Sequence, residues 1–325
     1  MKIAYLMHSE RGYDEVIESV NQLIKQQDHV FLMINDNDLR EKISFVYADE
    51  KRVHISHTQE FAQQGDLSLA RGTIIQMKEA IELGGFDYFI NLTDGMMPIK
   101  SRNEIVAFLE ENDGKDFYYV DRSEKEDTNL RPKSEKFYTL TNLIAFPTSK
   151  FIRSSCRGIA SILNVLGVKR KLKDTYVIGS PWFIISRKTA MILSENFSYV
   201  AATFKLSWYP EEMYIPMMMN RFVYTNGEDL HINKDYRVVG PEGKWCESSD
   251  ALAIKKEIIE QHPEAMFASK ITLDDNFDLY QDYFDKYNED YIKLKESETK
   301  EKEILDPSIM LDILNRSRQN TEDNE

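Results

Sequence analysis

The stretch KIAYLMHSERGYDEVIESVNQLIKQQDHVFLMINDND, Lys2–Asp38, sets the fold class. KIAYLM (Lys2–Met7) reads as a buried strand. YDEVIESVNQLIKQ (Tyr13–Gln26) places Val16, Val20, Leu23 and Ile24 on one helical face, and HVFLMI (His29–Ile34) is a second strand that stops at NDND. Outward from this unit the alternation continues. VHIS (Val53–Ser56) is a short strand, and LARGTIIQMKEAIELGG (Leu69–Gly85) is an amphipathic helix closed by two glycines. DYFINL (Asp87–Leu92) is a buried strand, RNEIVAFLEEN a helix, and DFYYVD (Asp116–Asp121) another strand. Repeated strand–helix–strand units predict an α/β fold with a mostly parallel sheet covered on both faces. Such sheets bind ligands beyond the carboxyl ends of their strands, which directs attention to the turns after Met7, Ile34 and Leu92.

The second half is less regular. SEKEDTNLRPKSEKF (Ser123–Phe137) is polar and reads as a mobile loop or an excursion, and a helix is expected near Ser149–Leu166. GSPWFIISRKTAMIL (Gly179–Leu193) reads as a strand followed by a short helix, and in SWYPEEMYIPMMMN (Ser207–Asn220) an acidic pair opens an otherwise uncharged helix. HINKDYRVVG is extended, and IKKEIIEQHP and FDLYQDYFDKY are helical. The expected division is a sheet-bearing domain over 1–287 and a charged, partly helical tail over 288–325, in which Ile309, Leu311 and Leu314 form an apolar face.

Composition narrows the function classes. With 55 acidic and 41 basic residues the net charge is -14, so no broad surface exists to neutralise nucleic-acid phosphates. A nucleotide would need a few local cations instead. The two cysteines, Cys156 and Cys246, lack metal or disulfide spacing and fit a reducing compartment. No run approaches the ~20 apolar residues of a membrane span. A cytoplasmic protein is expected, with the tail or a partner as its route to a membrane surface.

Individual residues carry more than one reading. Pro210-Glu211-Glu212 fits helix-start electrostatics, since proline and acidic side chains both favour a first turn. A carboxylate held in a cleft there would instead serve as a base. Asp36 and Asp38 form an Asp-x-Asp pattern that serves either as a metal motif or as turn and cap residues. Lys270 and Arg237 are candidate phosphate counter-charges in an acidic chain. The methionines at 217–219 read as core, and the histidines show no metal spacing. No GxGxxG follows the first strand, which removes a dinucleotide-binding oxidoreductase.

Taken in order, KIAYLMHS, HVFLMINDND, QQGDLSLARGTIIQMKEAI, DYFINLTDGMMPIKS, GSPWFIISRKTAMIL, YPEEMYIPMMMN, DYRVVG and MFASKIT resemble the core-2/I-branching β-1,6-N-acetylglucosaminyltransferase family, which also contains peptide xylosyltransferases. The resemblance covers roughly residues 1–285 and is of a bacterial type. It implies a GT-A-like nucleotide-sugar fold and inverting transfer from a UDP-sugar, with no metal or other cofactor. The family's Pro-Asp-Glu pattern falls on Pro210-Glu211-Glu212 and gives the role of catalytic base to Glu212, with Glu211 in support. Its Phe-Ala-x-Lys segment falls on FASKIT and gives the leaving diphosphate to Lys270, with Arg237 as second cation. His8 and either Asn35 or Asp36 fall where the family holds the nucleoside. Acceptor contacts are expected from Trp182, Trp208, Tyr209, Glu211, Arg131 and Lys133. Met96 replaces the aspartate of the family's Gly-x-Asp-x-Pro turn, Met33 a histidine, and Gln64 a tryptophan. These departures bear on donor and acceptor more than on reaction class. The alternative reading is a non-catalytic nucleotide-sugar or glycan-binding subunit of another transferase.

Overall fold

A computed structural model describes residues 1–9, 12–24, 27–58, 65, 67–138, 150–170, 172–207, 209–224, 230–239, 254–271, 277–288 and 293. Strands β1 (Ile3–Ser9), β2 (His29–Ile34), β3 (Val53–Ile55) and β4 (Tyr88–Thr93) alternate with helices α1 (Tyr13–Leu23), α2 (Asn37–Val46) and α3 (Leu67–Leu83). The chain continues through β5 (Met96–Pro98), α4 (Arg102–Glu111), β6 (Asp116–Ser123), α5 (Leu130–Ser134), α6 (Lys150–Val165), β7 (Val177–Ser186), α7 (Arg187–Glu195) and α8 (Phe197–Phe204). After a 3-10 turn at Pro210–Glu212 come α9 (Tyr214–Met218), β8 (His231–Ile232), β9 (Arg237–Val239), α10 (Lys256–Glu260) and β10 (Phe267–Ser269). Residues 277–288 are helical.

The main sheet has seven strands in the order β3-β2-β1-β4-β7-β6-β8. The β3, β2, β1 and β4 pairings are parallel, as is β6 with β8, whereas β7 runs antiparallel to both β4 and β6. A mostly parallel central sheet flanked by helices, with one reversed strand, is a GT-A-like arrangement. Every residue of β1 is buried because both faces are covered. Tyr5 and Met7 pack with Val16 and Val20 of α1 on one face. Ala4 and Leu6 pack with Ala70, Ile74 and Met77 of α3 on the other. A small sheet, β5-β10-β9, sits beside the carboxyl ends, backed by Ile259, Leu279 and Tyr280.

One sequence expectation is narrowed and another is revised. Of the two readings of the segment after β6, the structure favours the excursion over the mobile loop. Arg131 of α5 donates to both oxygens of Glu124 at 2.7 and 3.0 Å and to the carbonyls of Leu172 and Asp174, and this pins the polar excursion to the domain. The SWYPEEMYIPMMMN stretch is also not one continuous helix. It is a 3-10 turn, the single turn α9, and a π turn over Met219–Val223. Pro216 lacks an N–H, so the α-helical bond back to the Glu212 carbonyl cannot form. The apolar tail face at Ile309, Leu311 and Leu314 lies outside the described residues.

Candidate active site

The site begins where β4 and β7 part. Their ladder ends at Ile90–Ile184, and Pro181 has no N–H with which to extend it. The Asn91 side chain takes over, accepting from Phe183 N at 2.7 Å and donating to Pro181 O at 2.9 Å. Arg237, at the start of β9, donates through Nη2 to Asn91 O at 2.9 Å and Phe183 O at 3.0 Å, and through Nη1 to Asp235 O at 2.8 Å. Its guanidinium carbon lies 5.8 Å from the Trp182 ring centroid and 5.3 Å from that of Phe267. Burial pushes the Arg237 pKa down to about 10, which still leaves it protonated at neutral pH. Among the described residues its Nε has no hydrogen-bond partner, and its guanidinium donates only to backbone carbonyls. A fixed cation therefore stands in the wall of the opening between the strands.

The acidic pair is oriented by Gly65. Gly65 has φ +87°, a conformation that favours glycine, and its N–H donates to Glu211 Oε1 at 2.5 Å. The Gly65 carbonyl accepts from Tyr209 N at 3.3 Å. Tyr209 is itself left-handed at φ +52°, an uncommon conformation for a bulky residue, and the chain enters the 3-10 turn directly from it. Behind the turn, the hydroxyl of buried Tyr214 meets Thr73, whose Oγ1 lies 2.9 Å from His8 Nε2. This network ties the loop to α3 and to the end of β1. It leaves Glu211 only 1 % exposed and Glu212 half-buried.

Glu212 borders two cavities. The larger, about 930 Å³, is walled by Glu212, Trp182, Arg237, Ser180, Asp235 and Glu264 among others. The smaller, about 490 Å³, has Glu212, Tyr209, Tyr138, Arg122, Asp127 and Arg157 in its wall. Ile178 and Arg122 also line both. Gly179 lets β7 run against β6 at this point, since a Cβ there would collide with the Tyr119 carbonyl oxygen. One half-buried carboxylate thus stands between two chambers, one of them carrying a buried cation and an indole.

The structure separates the other candidates. Trp182 and Tyr209 are wall residues, of the larger and smaller cavity respectively. Glu211 points away, into the domain, onto Gly65. Arg131 is engaged with Glu124 and does not line either cavity. The side chain of Lys133 and all of Trp208 lie outside the described residues. His8 is buried under α3, and burial pushes its pKa down to about 4, so it is neutral near pH 7. Asp36 caps α2 by accepting from Leu39 N at 2.7 Å, and Asn35 precedes it at the carboxyl end of β2. Lys270 follows β10 beside the Gly95 turn, with its carbonyl accepting from Ile254 N and the next residue, Ile271, donating to Gly95 O. It is half-buried and is not a wall residue of either cavity. Among the described residues no group of three or more His, Cys, Asp or Glu is placed to hold a metal ion.

Asn91, Arg122, Arg157, Asp235 and Glu264 were not singled out by the sequence. Their signals were weak, because polar side chains near strand ends, in turns and in helices look alike until packing shows which face a cavity. Pro181 was the usable clue, since a proline inside a strand marks the place where a ladder must open.

No curated protein matches the chain. The family model described as Core-2/I-Branching enzyme matches residues 3–249, and the chain belongs to this family of glycosyltransferases.

Proposed function

We propose that the protein is an inverting, metal-independent transferase that moves a sugar, with GlcNAc the leading candidate, from a UDP-sugar to a hydroxyl of a glycan or glycoconjugate. The observation that carries this reading is the position of Glu212 at the wall shared by the two cavities. The larger falls within the range of roughly 300–1,000 Å³ typical of small-molecule sites and suits the donor. The smaller then receives the acceptor.

In this scheme Glu212 takes the proton of the acceptor hydroxyl as its oxygen forms a bond to the anomeric carbon. The bond from that carbon to the diphosphate oxygen breaks, and the electron pair leaves with UDP. Arg237 stabilises the departing charge from a desolvated position, where a preorganised cation acts most strongly. Lys270 supplies the second charge once the donor brings the phosphates to the Gly95 turn. Trp182 offers a flat apolar face beside Arg237. Basic side chains thereby take the part that a divalent cation plays in other transferases.

A panel of UDP-sugars tested by thermal shift identifies the donor, because a ligand bound only by the native state raises its stability. Donor turnover by the purified protein, unaffected by EDTA, is the expected companion result. A protein that binds a UDP-sugar yet never hydrolyses or transfers it would instead be a binding subunit.

A further inference from the structure

The second half of helix α6 and the turn after it carry large apolar side chains exposed to solvent. Among the described side chains of α6 the buried ones are small, Cys156 and Ala160, whereas Ile162, Val165 and, just past the helix, Leu166 are 62, 85 and 71 % exposed. Ile159 and, just past the helix, Val168 extend the same patch. The end of the helix is held firmly. Gly167 has φ +77° and donates to Asn164 O at 3.1 Å, while Val168 N donates to Leu163 O at 2.8 Å, a Schellman closure. An apolar patch fixed in this way on a water-facing surface marks an interaction site.

Charge identifies the occupant. Residues 150–173 contain seven lysines and arginines and no aspartate or glutamate, in a chain whose net charge is -14. Arg157, Lys169 and Lys173 are exposed around the patch. Lys169 has a long contact to Glu135 at 3.7 Å. The first acid after this stretch, Asp174, is engaged by Arg221 and by the Tyr199 hydroxyl. Exposed branched aliphatic side chains ringed by cations are the chemistry of helices that lie in a bilayer interface. A protein partner would need a shaped, acidic counter-surface, whereas a membrane accepts such side chains without one.

We infer that α6 and the turn after it dock this protein onto anionic membranes, with Ile162, Val165 and Leu166 entering the headgroup region and Arg157, Lys169 and Lys173 meeting lipid phosphates. Arg157 also lines the smaller cavity, so docking brings that cavity next to the lipid surface.

The test is flotation of the full chain with phosphatidylcholine vesicles, with and without phosphatidylglycerol. Binding is expected only with the anionic lipid, weakening as salt is raised. Ile162→Asp/Leu166→Asp should lower partitioning by about tenfold or more, and Lys169→Glu/Lys173→Glu should lower it independently, both with unchanged circular dichroism. Failure of the wild type to float with anionic vesicles overturns the inference, as does flotation unaffected by the aspartates. Sedimentation supplies a further arm. A wild-type dimer that Ile162→Asp/Leu166→Asp converts to monomer would assign the patch to a second copy and overturn the membrane reading.

Discussion

Glu211 accepts the backbone N–H of Gly65 at 2.5 Å, and this bond orients its neighbour Glu212. With one carboxylate anchored inside the domain and Tyr209 N–H tied to the same glycine's carbonyl, the next side chain is left facing the cavities. The two glutamates thus have unequal work. Glu211→Ala should destabilise the fold by about 2–4 kcal/mol, because a buried donor loses its acceptor. Gly65→Ala should cost about 1–2 kcal/mol through its positive φ. Chemical denaturation of the two single variants and the double checks this. The double should fall short of the sum, since the backbone shift that relieves a left-handed alanine also moves the N–H that Glu211 accepts. Strict additivity would mean that the bond contributes little.

Glu212→Gln should leave the fold and UDP affinity nearly intact and lower transfer by about a hundredfold or more, the scale of lost general-base catalysis. Rates with the identified donor, set beside calorimetry with UDP, read the two effects separately. Wild-type turnover in this variant removes Glu212 from the chemistry.

Arg237 and Lys270 should differ in what their loss does. Arg237→Ala frees the Asn91 and Phe183 carbonyls and should weaken both stability and UDP binding. Lys270→Ala should weaken UDP binding by about tenfold, the scale of a charge-assisted contact, with little change in melting temperature. UDP titrations and thermal melts of both variants separate them. Unchanged UDP affinity in Lys270→Ala ends its phosphate role.

His8 makes stability pH-dependent. Its folded pKa, about 4, lies below the ordinary value of 6.5, so the unfolded chain binds the proton more tightly. The contribution is fully present above about pH 6.5 and is lost as the pH falls towards 4, with a total on the order of 3 kcal/mol. Urea midpoints between pH 7 and 4.5 should fall less steeply in His8→Gln than in the wild type. Parallel curves would show that His8 does not titrate in this way.

Arg102 and Asp28 form a buried ion pair, with Nε to Oδ2 at 2.5 Å and side chains 6 and 0 % exposed. Arg102→Met should cost about 3–5 kcal/mol by leaving the carboxylate uncompensated, and adding Asp28→Leu should recover much of that loss. Urea or guanidinium unfolding measures both. A double variant as unstable as the single would show that the pair's packing matters more than its charge.

Much of the sheet was legible from local pattern. HVFLMI is β2 with the residue bounds its apolar run suggests, and RNEIVAFLEE forms α4 behind a Ser101 capping box. Other elements escaped. NDND hid the start of α2, because Asp36 as a cap looks the same in sequence as a turn or a metal motif. MMP in β5 looked like a turn, since a three-residue strand has too few positions to show a period.

The sequence by itself determined the α/β class, the places of the central strands along the chain and the family, because these follow from hydrophobic period and from motifs in order along the chain. Tertiary structure alone decided which of two adjacent glutamates faces the cavities, that Asn91 and Arg237 bridge the gap between β4 and β7, and that Ile162 and Val165 of α6 face solvent. Each of those depends on partners distant in sequence, Gly65 for Glu211 and Phe183 for Asn91. Side-chain direction is set by the contact that wins in three dimensions, and residue type alone does not encode it.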